Sequence, residues 1–253
     1  MADGMLEQII EKTRSELELR KCKIPADMFD LEGSTKSLKK AIRSAKGNAV
    51  ITEIKPASPS EGMLRKPDVE NLARQMENGG AVAISVLTEP FYFHGSLNNL
   101  KRAKSATNLP IIRKDFIIDR YQLLEAKHYG ADAVLLMVAV LGRQTKVFYE
   151  MARNLGMEAI VEIHDPDEAD IALSSGSEII GINNRNLENL IVDLNTTKEL
   201  ASRIPKNRVT ISESGIRTRE DLDFVLGYVD AALIGTSLML ADDVQEAVRR
   251  LVK

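Results

Sequence analysis

Eight short apolar runs that alternate with segments of helical periodicity limit the fold of this chain more than any other feature. The runs are NAVITEIK (48–55), AVAISVLTE (81–89), PIIRKDFI (110–117), ADAVLLMVAV (131–140), MEAIVEIHD (157–165), IIGINNR (179–185), RVTISESG (208–215) and DAALIGTS (230–237). They are rich in Val, Ile and Ala, which is typical of parallel strands covered by helices on both sides. Eight such units within 253 residues predict an α/β fold, a single (β/α)8 TIM barrel.

Residues 1–253 are expected to form one domain, in which 48–253 hold the eight βα units and 1–47 form extra N-terminal helices. No low-complexity segment or Gly/Ser-rich linker divides the sequence. The alternative architecture is an open doubly wound sheet. A dinucleotide site on such a sheet would need a Gly-rich turn after the first strand, but KPASPSEG (55–62) contains no G-x-G-x-x-G pattern.

The composition is that of a soluble globular protein, with 44% hydrophobic and 28% charged residues. A net charge of −3 gives no electrostatic support for nucleic acid or an anionic membrane as a partner. No apolar run approaches the roughly 20 residues that span a bilayer, and the N-terminus lacks the apolar core of a signal peptide. Cys22 is the only cysteine, so no internal disulfide can form, and we expect a cytoplasmic protein.

Polar residues lie near the ends of five predicted strands, on the face that should point into the barrel. They are Glu53 and Lys55, Lys114, Glu162, Asn183 and Arg185, and Glu213. Barrel enzymes place their active sites at this end of the strands. The pair Glu53 and Lys55 alone could be a structural ion pair. The same register on five strands favours a functional site, because burying unpaired charges costs several kcal/mol per group.

The last two predicted strands end in SESGI and LIGTSLM, which favours a phosphate site. Loops after strands 7 and 8 of this fold frequently bind phosphate through backbone N–H groups. Gly215 and Gly235 would let the backbone approach a phosphate closely, and Ser214 and Thr236 would add hydroxyl donors.

Four apolar residues at or just past strand ends could form the wall of a pocket for a flat hydrophobic group. They are Phe93, Phe116, Leu135 and Leu187. The alternative for these four is ordinary packing in the top layer of the barrel.

The three histidines are not expected to bind metal. His128 falls on a helix surface, His94 in the loop after the second strand, and His164 at the rim beyond Glu162. No grouping of His, Asp and Glu has metal-ligand spacing, so no metal site is predicted. No Ser–His–Asp or Cys–His arrangement is indicated either.

The order and spacing of eight motifs resemble the indole-3-glycerol-phosphate synthase family from about residue 48 to the end. The motifs are EIKPASPS, ISVLTEPFYFHGS, IIRKDFI, ADAVLLMV, VEIHD, GINNRNL, SESGI and LIGTSLM. The resemblance implies a cofactor-free carbon–carbon carboxy-lyase of tryptophan biosynthesis. Its reaction would be ring closure, decarboxylation and dehydration of 1-(2-carboxyphenylamino)-1-deoxyribulose 5-phosphate to indole-3-glycerol phosphate.

The resemblance also implies roles for the charged residues. Lys114 matches the general acid of the family, and Glu162 matches its base. Lys55 would be a second ammonium, which would either serve the dehydration or bind an anionic group of the substrate. Glu53 and Glu213 would hold the lysines and bind sugar hydroxyls.

Further residues are assigned to substrate binding by the same resemblance. Asn183 and Arg185 suit the carboxylate end of the substrate. Asn183 is also assigned to the catalytic residues. The pocket is completed by Ser58, Ser85 and the four apolar residues, and the phosphate would lie on Ser214, Gly215, Gly235 and Thr236. The expected partner is a small phosphorylated molecule, and we expect a monomer.

Two other functions remain open at this point. A phosphoribosylanthranilate isomerase would share the phosphate loops, but such an enzyme usually uses a Cys or Asp pair, and Cys22 lies outside the barrel units. A non-catalytic phosphate-binding protein would not need Lys114, Glu162 and Lys55 together.

Overall fold

A closed parallel barrel forms the centre of the protein in the computed structural model, which describes residues 4–187 and 189–253. The strands in chain order are β1 (Val50–Ile54), β2 (Ala57–Ser58), β3 (Gly62–Met63), β4 (Ala83–Leu87), β5 (Ile111–Lys114), β6 (Ala133–Met137), β7 (Glu158–Ile163), β8 (Ile179–Asn183), β9 (Val209–Glu213) and β10 (Ala231–Ile234). The barrel follows the order β1, β4, β5, β6, β7, β8, β9, β10, and β10 pairs with β1. The predicted barrel is confirmed, and the closure excludes an open sheet. β2 and β3 form a separate antiparallel hairpin.

Helices cover the outside of the barrel and precede its first strand. They are α1 (Met5–Lys23), α2 (Leu38–Arg43), α3 (Val69–Gly79), α4 (Leu97–Ala106), α5 (Arg120–His128), α6 (Val138–Leu141), α7 (Thr145–Asn154), α8 (Pro166–Ser174), α9 (Asn195–Ala201), α10 (Arg219–Leu226), α11 (Thr236–Met239) and α12 (Val244–Val252). Short 3₁₀ turns span Ala26–Met28 and Gly142–Gln144. None of the helices in the described part of the chain has the length and apolar character needed to cross a membrane.

Each predicted strand contains an observed strand, but all eight predictions extend past its carboxyl end. The predicted run 131–140 ends as a strand at Met137, and Val138 already begins α6. Thr236 and Ser237 likewise belong to α11 and not to the strand predicted over 230–237. A continuous apolar run contains no local signal for the point at which extended backbone becomes helical.

The second helix of the N-terminal extension closes the amino end of the barrel. Leu38 and Ile42 of α2 are buried in the same cluster as Ile51, which fills the barrel interior. Ser37 Oγ donates to Glu158 Oε1 at 2.7 Å, and Glu158 is the first residue of β7. The extension contains the predicted helices, and these contacts pack α2 on the barrel core.

The first helix is held on the side of the barrel by α5. Leu17 packs in one buried cluster with Tyr121, and the Tyr121 hydroxyl donates to Ile24 O at 2.7 Å. Arg20 Nε lies 3.4 Å from Glu125 Oε1. These contacts fix the direction of α1, whose first turns reach the opposite end of the barrel from α2.

The barrel interior changes from apolar to polar along three alternate strands, β5, β7 and β9. Ile112, Ile160 and Ile211 belong to the buried interior cluster. Two residues further along each strand, the interior positions are Lys114, Glu162 and Glu213. An apolar layer thus lies directly beneath a charged one.

We expect Leu38→Ala to lower the free energy of unfolding by about 2–5 kcal/mol, because it removes a fully buried side chain from the barrel floor. Leu19→Ala is the matched control, since Leu19 is 56% exposed on α1. Urea unfolding of both variants measures the difference. Equal losses in the two variants would show that α2 is not part of the barrel core.

Candidate active site

A cavity of about 390 Å³ opens at the carboxyl ends of the barrel strands, within the size range of small-molecule sites. The predicted residues that line it are Glu53, Lys55, Ser58, Phe93, Lys114, Phe116, Leu135, Glu162, Asn183, Arg185, Leu187, Glu213, Ser214, Gly215, Gly235 and Thr236. Ser85 is the exception, because its side chain on β4 is fully buried and does not belong to the cavity wall. A contact between Ser85 and a substrate stays a prediction.

The ammonium of Lys114 lies between two buried carboxylates. Its Nζ is 2.5 Å from Glu213 Oε2 and 3.3 Å from Glu162 Oε2. The side chains of both glutamates are 1% exposed and that of Lys114 is 18% exposed, so Lys114 is the most accessible side chain of the three. Burial disfavours the charge of Lys114, but Glu213, Glu162 and Glu53 outweigh burial and hold its pKa above the usual value. Lys114 is therefore protonated at neutral pH.

The two carboxylates that share Lys114 have opposite pKa shifts. Burial disfavours the charge of Glu162, but Lys114, His164 and Asn183 overcome that effect and lower the pKa of Glu162. For Glu213, burial is the largest effect and raises the pKa. Lys114 lowers the pKa and Glu162 raises it further, so that the pKa of Glu213 rises to about 7. Glu162 is thus ionised at neutral pH, whereas Glu213 titrates near neutrality.

A second ion pair joins Glu53 and Lys55, with Lys55 Nζ 3.2 Å from Glu53 Oε1. Glu53 Oε2 is buried and has no hydrogen-bond partner among the described residues. Lys55 is 15% exposed and lines the cavity. A donor on a bound molecule would satisfy Glu53, and Lys55 can reach the same molecule.

Two glycines make room for these carboxylates, and the role of Gly181 was not found from the sequence. A β-carbon on Gly181 would overlap Glu213 Oε1 and approach Ile160 Cγ2 to 2.9 Å. A β-carbon on Gly235 would overlap Glu53 Oε1. Strand alternation puts Gly181 on the same interior face as Asn183, but only the folded barrel shows that the Glu213 carboxylate occupies the space above it.

The four predicted phosphate ligands lie on two adjacent loops, because β9 and β10 are neighbours in the barrel. Ser214 and Gly215 follow β9 with φ values of 69° and 85°. This left-handed backbone is unusual for serine and is a form of strain that collects at functional sites. Gly235 precedes α11, which begins at Thr236. The arrangement brings backbone and hydroxyl donors together on one side of the cavity.

Apolar side chains from strands, loops and α1 form the rest of the wall. The rings of Phe93 and Phe116 have centroids 6.1 Å apart at an interplanar angle of 37°. Several apolar wall residues were not predicted, among them Met5, Leu6, Ile9 and Met137. The first three belong to α1, which lies outside the eight barrel units and therefore outside the strand-end pattern.

Asn183 and Arg185 extend the charged cluster toward the loop after β8. Asn183 Nδ2 donates to Glu162 Oε1 at 3.2 Å, and Arg185 N donates to Asn183 Oδ1 at 3.0 Å. Arg185 Nη1 donates to Leu190 O at 3.0 Å. Burial lowers the pKa of Arg185. Asn183 thus fixes a carboxylate oxygen, while Arg185 lines the cavity with further N–H donors.

His164 follows β7, as predicted, but it packs against Glu162 instead of standing free at the rim. Its side chain is 11% exposed, and Nε2 lies 3.3 Å from Glu162 Oε1. Nδ1 lies 3.0 Å from Glu168 Oε2. His94 and His128 are exposed. Within residues 4–187 and 189–253, no group of three His, Cys, Asp or Glu residues is placed to hold a metal ion.

Comparison with known proteins identifies the family to which the chain belongs. A family model described as indole-3-glycerol phosphate synthase matches residues 6–251. The chain belongs to the indole-3-glycerol phosphate synthase family. The resemblance found in the sequence motifs is confirmed, and the match also includes α1 and α2, which the motifs did not cover.

Relatives with the name indole-3-glycerol phosphate synthase align over most of their length. The protein from Methanocaldococcus jannaschii is 49% identical over 230 residues, covering 88% of this chain and 86% of its own. The protein from Campylobacter jejuni subsp. doylei is 42% identical over 260 residues, covering 98% of this chain and all of its own. Members of the family are decarboxylating lyases of tryptophan biosynthesis, so the predicted enzyme class is confirmed and the isomerase and binding-protein alternatives are set aside.

A solved structure supports the fold alone. Thiamine phosphate pyrophosphorylase from Pyrococcus furiosus superposes with a TM-score of 0.64 at 18% identity, covering 85% of this chain and 96% of that chain. At this identity, the two proteins share architecture, and the likeness carries no argument about activity.

Gly181→Ala should reduce turnover at least about tenfold, because the new methyl group displaces Glu213 from its contact with Lys114. Gly227→Ala is the control, since Gly227 has a helical φ of −65° and lies outside the cavity. Steady-state kinetics on the substrate that the family resemblance implies would compare the two. An unimpaired Gly181→Ala enzyme would mean that the position of Glu213 is not critical.

His164→Gln should reduce stability most at mildly acidic pH. Burial disfavours the charge of His164, but Glu162 and Glu168 raise its pKa from 6.5 to about 10. The folded protein therefore holds this proton more tightly than the unfolded chain. The stabilisation is complete below about pH 6.5 and is lost as the pH rises through about 10.

Urea midpoints of His164→Gln and the wild type should therefore differ most near pH 6 and converge toward pH 10. His128→Gln is the control, since His128 is exposed at the end of α5. A difference for His164→Gln that does not change with pH would contradict the ion pairs.

Proposed function

We propose that the chain converts 1-(2-carboxyphenylamino)-1-deoxyribulose 5-phosphate into indole-3-glycerol phosphate, carbon dioxide and water in this cavity. The observation that carries the proposal is the Lys114 ammonium, held between Glu213 and Glu162 at the base of an apolar-walled cavity. Family membership supplies the reaction class, and the arrangement of the side chains suggests how each step proceeds.

Ring closure requires an acid next to the ribulose carbonyl. The ring carbon that bears the carboxylate attacks this carbonyl, so negative charge develops on its oxygen. Lys114 donates the proton that neutralises this oxygen, and its ammonium stabilises the charge before transfer. Glu213 and Glu162 hold the ammonium in place, which reduces the reorganisation needed during the reaction.

Decarboxylation follows from the position of the carboxylate on the attacked ring carbon. The carbon–carbon bond breaks, carbon dioxide leaves, and the electron pair restores the aromatic ring. The apolar wall around Phe93, Phe116 and Leu135 favours this step, because it replaces an anion by a neutral molecule in a water-poor cavity. Asn183 and Arg185 would orient the carboxylate before it leaves.

Dehydration requires both an acid and a base. An ammonium, Lys114 or Lys55, protonates the departing hydroxyl, and Glu162 removes the proton from the carbon next to nitrogen. Glu162 suits the base because its lowered pKa keeps it ionised at neutral pH. Starting from the ionised substrate, the reaction delivers two protons and removes one, so each turnover takes up one proton from solvent.

Phosphate binding would fix the other end of the substrate. Ser214 and Gly215 after β9, together with Gly235 and Thr236 before and in α11, offer backbone N–H groups and hydroxyls on one side of the cavity. Glu53, whose second oxygen has no partner among the described residues, would accept a hydrogen bond from a sugar hydroxyl.

The proposed chemistry is acid–base chemistry throughout and assigns no role to a cofactor or metal. We further expect the chain to act as a monomer in the cytoplasm, on a small phosphorylated molecule. The test of the proposal is conversion of the carboxyphenylamino substrate by the purified protein without added metal or cofactor. Release of carbon dioxide and of a fluorescent indole product is the expected result, and no conversion would refute the proposal.

Lys114→Met should lower kcat at least about a hundredfold while substrate still binds, because the change removes the acid and keeps an apolar stem of similar length. Indole fluorescence measures turnover, and equilibrium titration measures binding. Lys146→Met is the control, because Lys146 is 61% exposed on α7. Turnover of Lys114→Met near the wild-type level would exclude Lys114 as the acid.

A further inference from the structure

His164 lies between two carboxylates at the carboxyl end of β7, and no step of the proposed reaction uses it. Nε2 is 3.3 Å from Glu162 Oε1, and Nδ1 is 3.0 Å from Glu168 Oε2. A neutral imidazole has a single N–H, so one of these carboxylates would face a lone pair. Only the imidazolium carries a proton on both ring nitrogens and a positive charge, so contact with two carboxylates favours the charged form. Nδ1 is hydrogen-bonded to Glu168, whereas Nε2 faces Glu162 as an ion pair without hydrogen-bond alignment.

Glu168 is fixed in turn by the start of α8. The backbone N–H of His164 donates to Glu168 Oε2 at 2.7 Å, and the backbone N–H of Glu168 donates to Asp165 Oδ1 at 2.8 Å. Asp165 is the N-cap of α8. The first turn of the helix therefore holds Glu168, Glu168 holds the imidazole ring, and the ring faces Glu162.

The other groups around Glu162 come from three strands. Lys114 on β5 lies 3.3 Å from Glu162 Oε2, but it lies closer to Glu213 on β9, at 2.5 Å. Asn183 on β8 donates to Glu162 Oε1 at 3.2 Å and carries no charge. When Lys114 gives up its proton during ring closure, His164 is the cation that stays in ion-pair contact with Glu162 among the residues that the structure describes.

We propose that His164 is a positioning residue that keeps Glu162 ionised and correctly oriented as the base, through the chain Glu168–His164–Glu162. The inference rests on the proposed function, since it concerns the base of that reaction. Burial lowers the pKa of His164, but Glu162 and Glu168 outweigh burial and raise the pKa to about 10. The imidazolium therefore persists at neutral pH.

The test compares the pH dependence of kcat in the wild type, His164→Leu and His164→Gln. Loss of the positive charge 3.3 Å from Glu162 should raise the pKa of Glu162 and move the acidic limb of kcat upward by about one to two pH units in His164→Leu. His164→Gln keeps an N–H donor without the charge and should show a smaller shift. KM should change less than about threefold, because the substrate contacts remain.

Glu168→Gln and His128→Gln complete the set of variants. Glu168→Gln removes the negative charge on the far side of His164 from Glu162. The acidic limb of kcat in this variant should therefore shift in the same direction as in His164→Leu, but by a smaller amount. His128→Gln, at an exposed position, should follow the wild type. An active His164→Leu enzyme with the acidic limb of the wild type would overturn the positioning role.

Histidine NMR of the wild type tests the same inference without relying on a folded His164→Leu protein. The chain has three histidines, so His164→Gln identifies the resonance. The His164 ring should remain protonated at pH 8, and Glu162→Gln should lower its midpoint. Titration of wild-type His164 near pH 6.5 would overturn the inference, whereas a wild type that never converts the substrate would refute the proposed function instead.

Discussion

A lysine ammonium placed among buried carboxylates at the mouth of an apolar barrel is the interaction on which the rest of this structure depends. Burying an ion costs several kcal/mol, and the attraction between Lys114, Glu213 and Glu162 offsets that cost only while all three stay in register. Removing one partner would leave an uncompensated charge in a poorly solvated site. The surrounding elements can be understood as the means by which the barrel holds this cluster in place.

Three parts of the fold serve that purpose. Parallel strands bring side chains from distant parts of the sequence to one end of the barrel, over an apolar layer that includes Ile160 and Ile211. Gly181 leaves the space that the Glu213 carboxylate occupies. The N-terminal extension contacts both ends of the barrel. Helix α2 packs on the barrel floor, and the first turns of α1 contribute apolar residues to the cavity wall.

Much of this could be predicted, because strand alternation has a fixed period of two. That period placed Lys114, Glu162 and Glu213 on the interior face, and the barrel rule placed them at the same end. Other features could not be predicted. The burial of Ser85 depends on which strands are neighbours. The ion pairs of His164 join residues only two and four positions away, Glu162 and Glu168, and they depend on how the chain turns from β7 into α8, which the strand period does not specify.

The sequence by itself determined the eight-unit barrel, the family and the identity of the charged residues, because periodicity and motif spacing are local properties of a chain. The tertiary structure decided how those charges are shared. In the folded barrel, Lys114 lies closer to Glu213 than to Glu162. The pKa of Glu213 is raised and the pKa of Glu162 is lowered. These differences arise from burial and from distances of a few ångströms between residues far apart in the chain, which only the closed barrel sets.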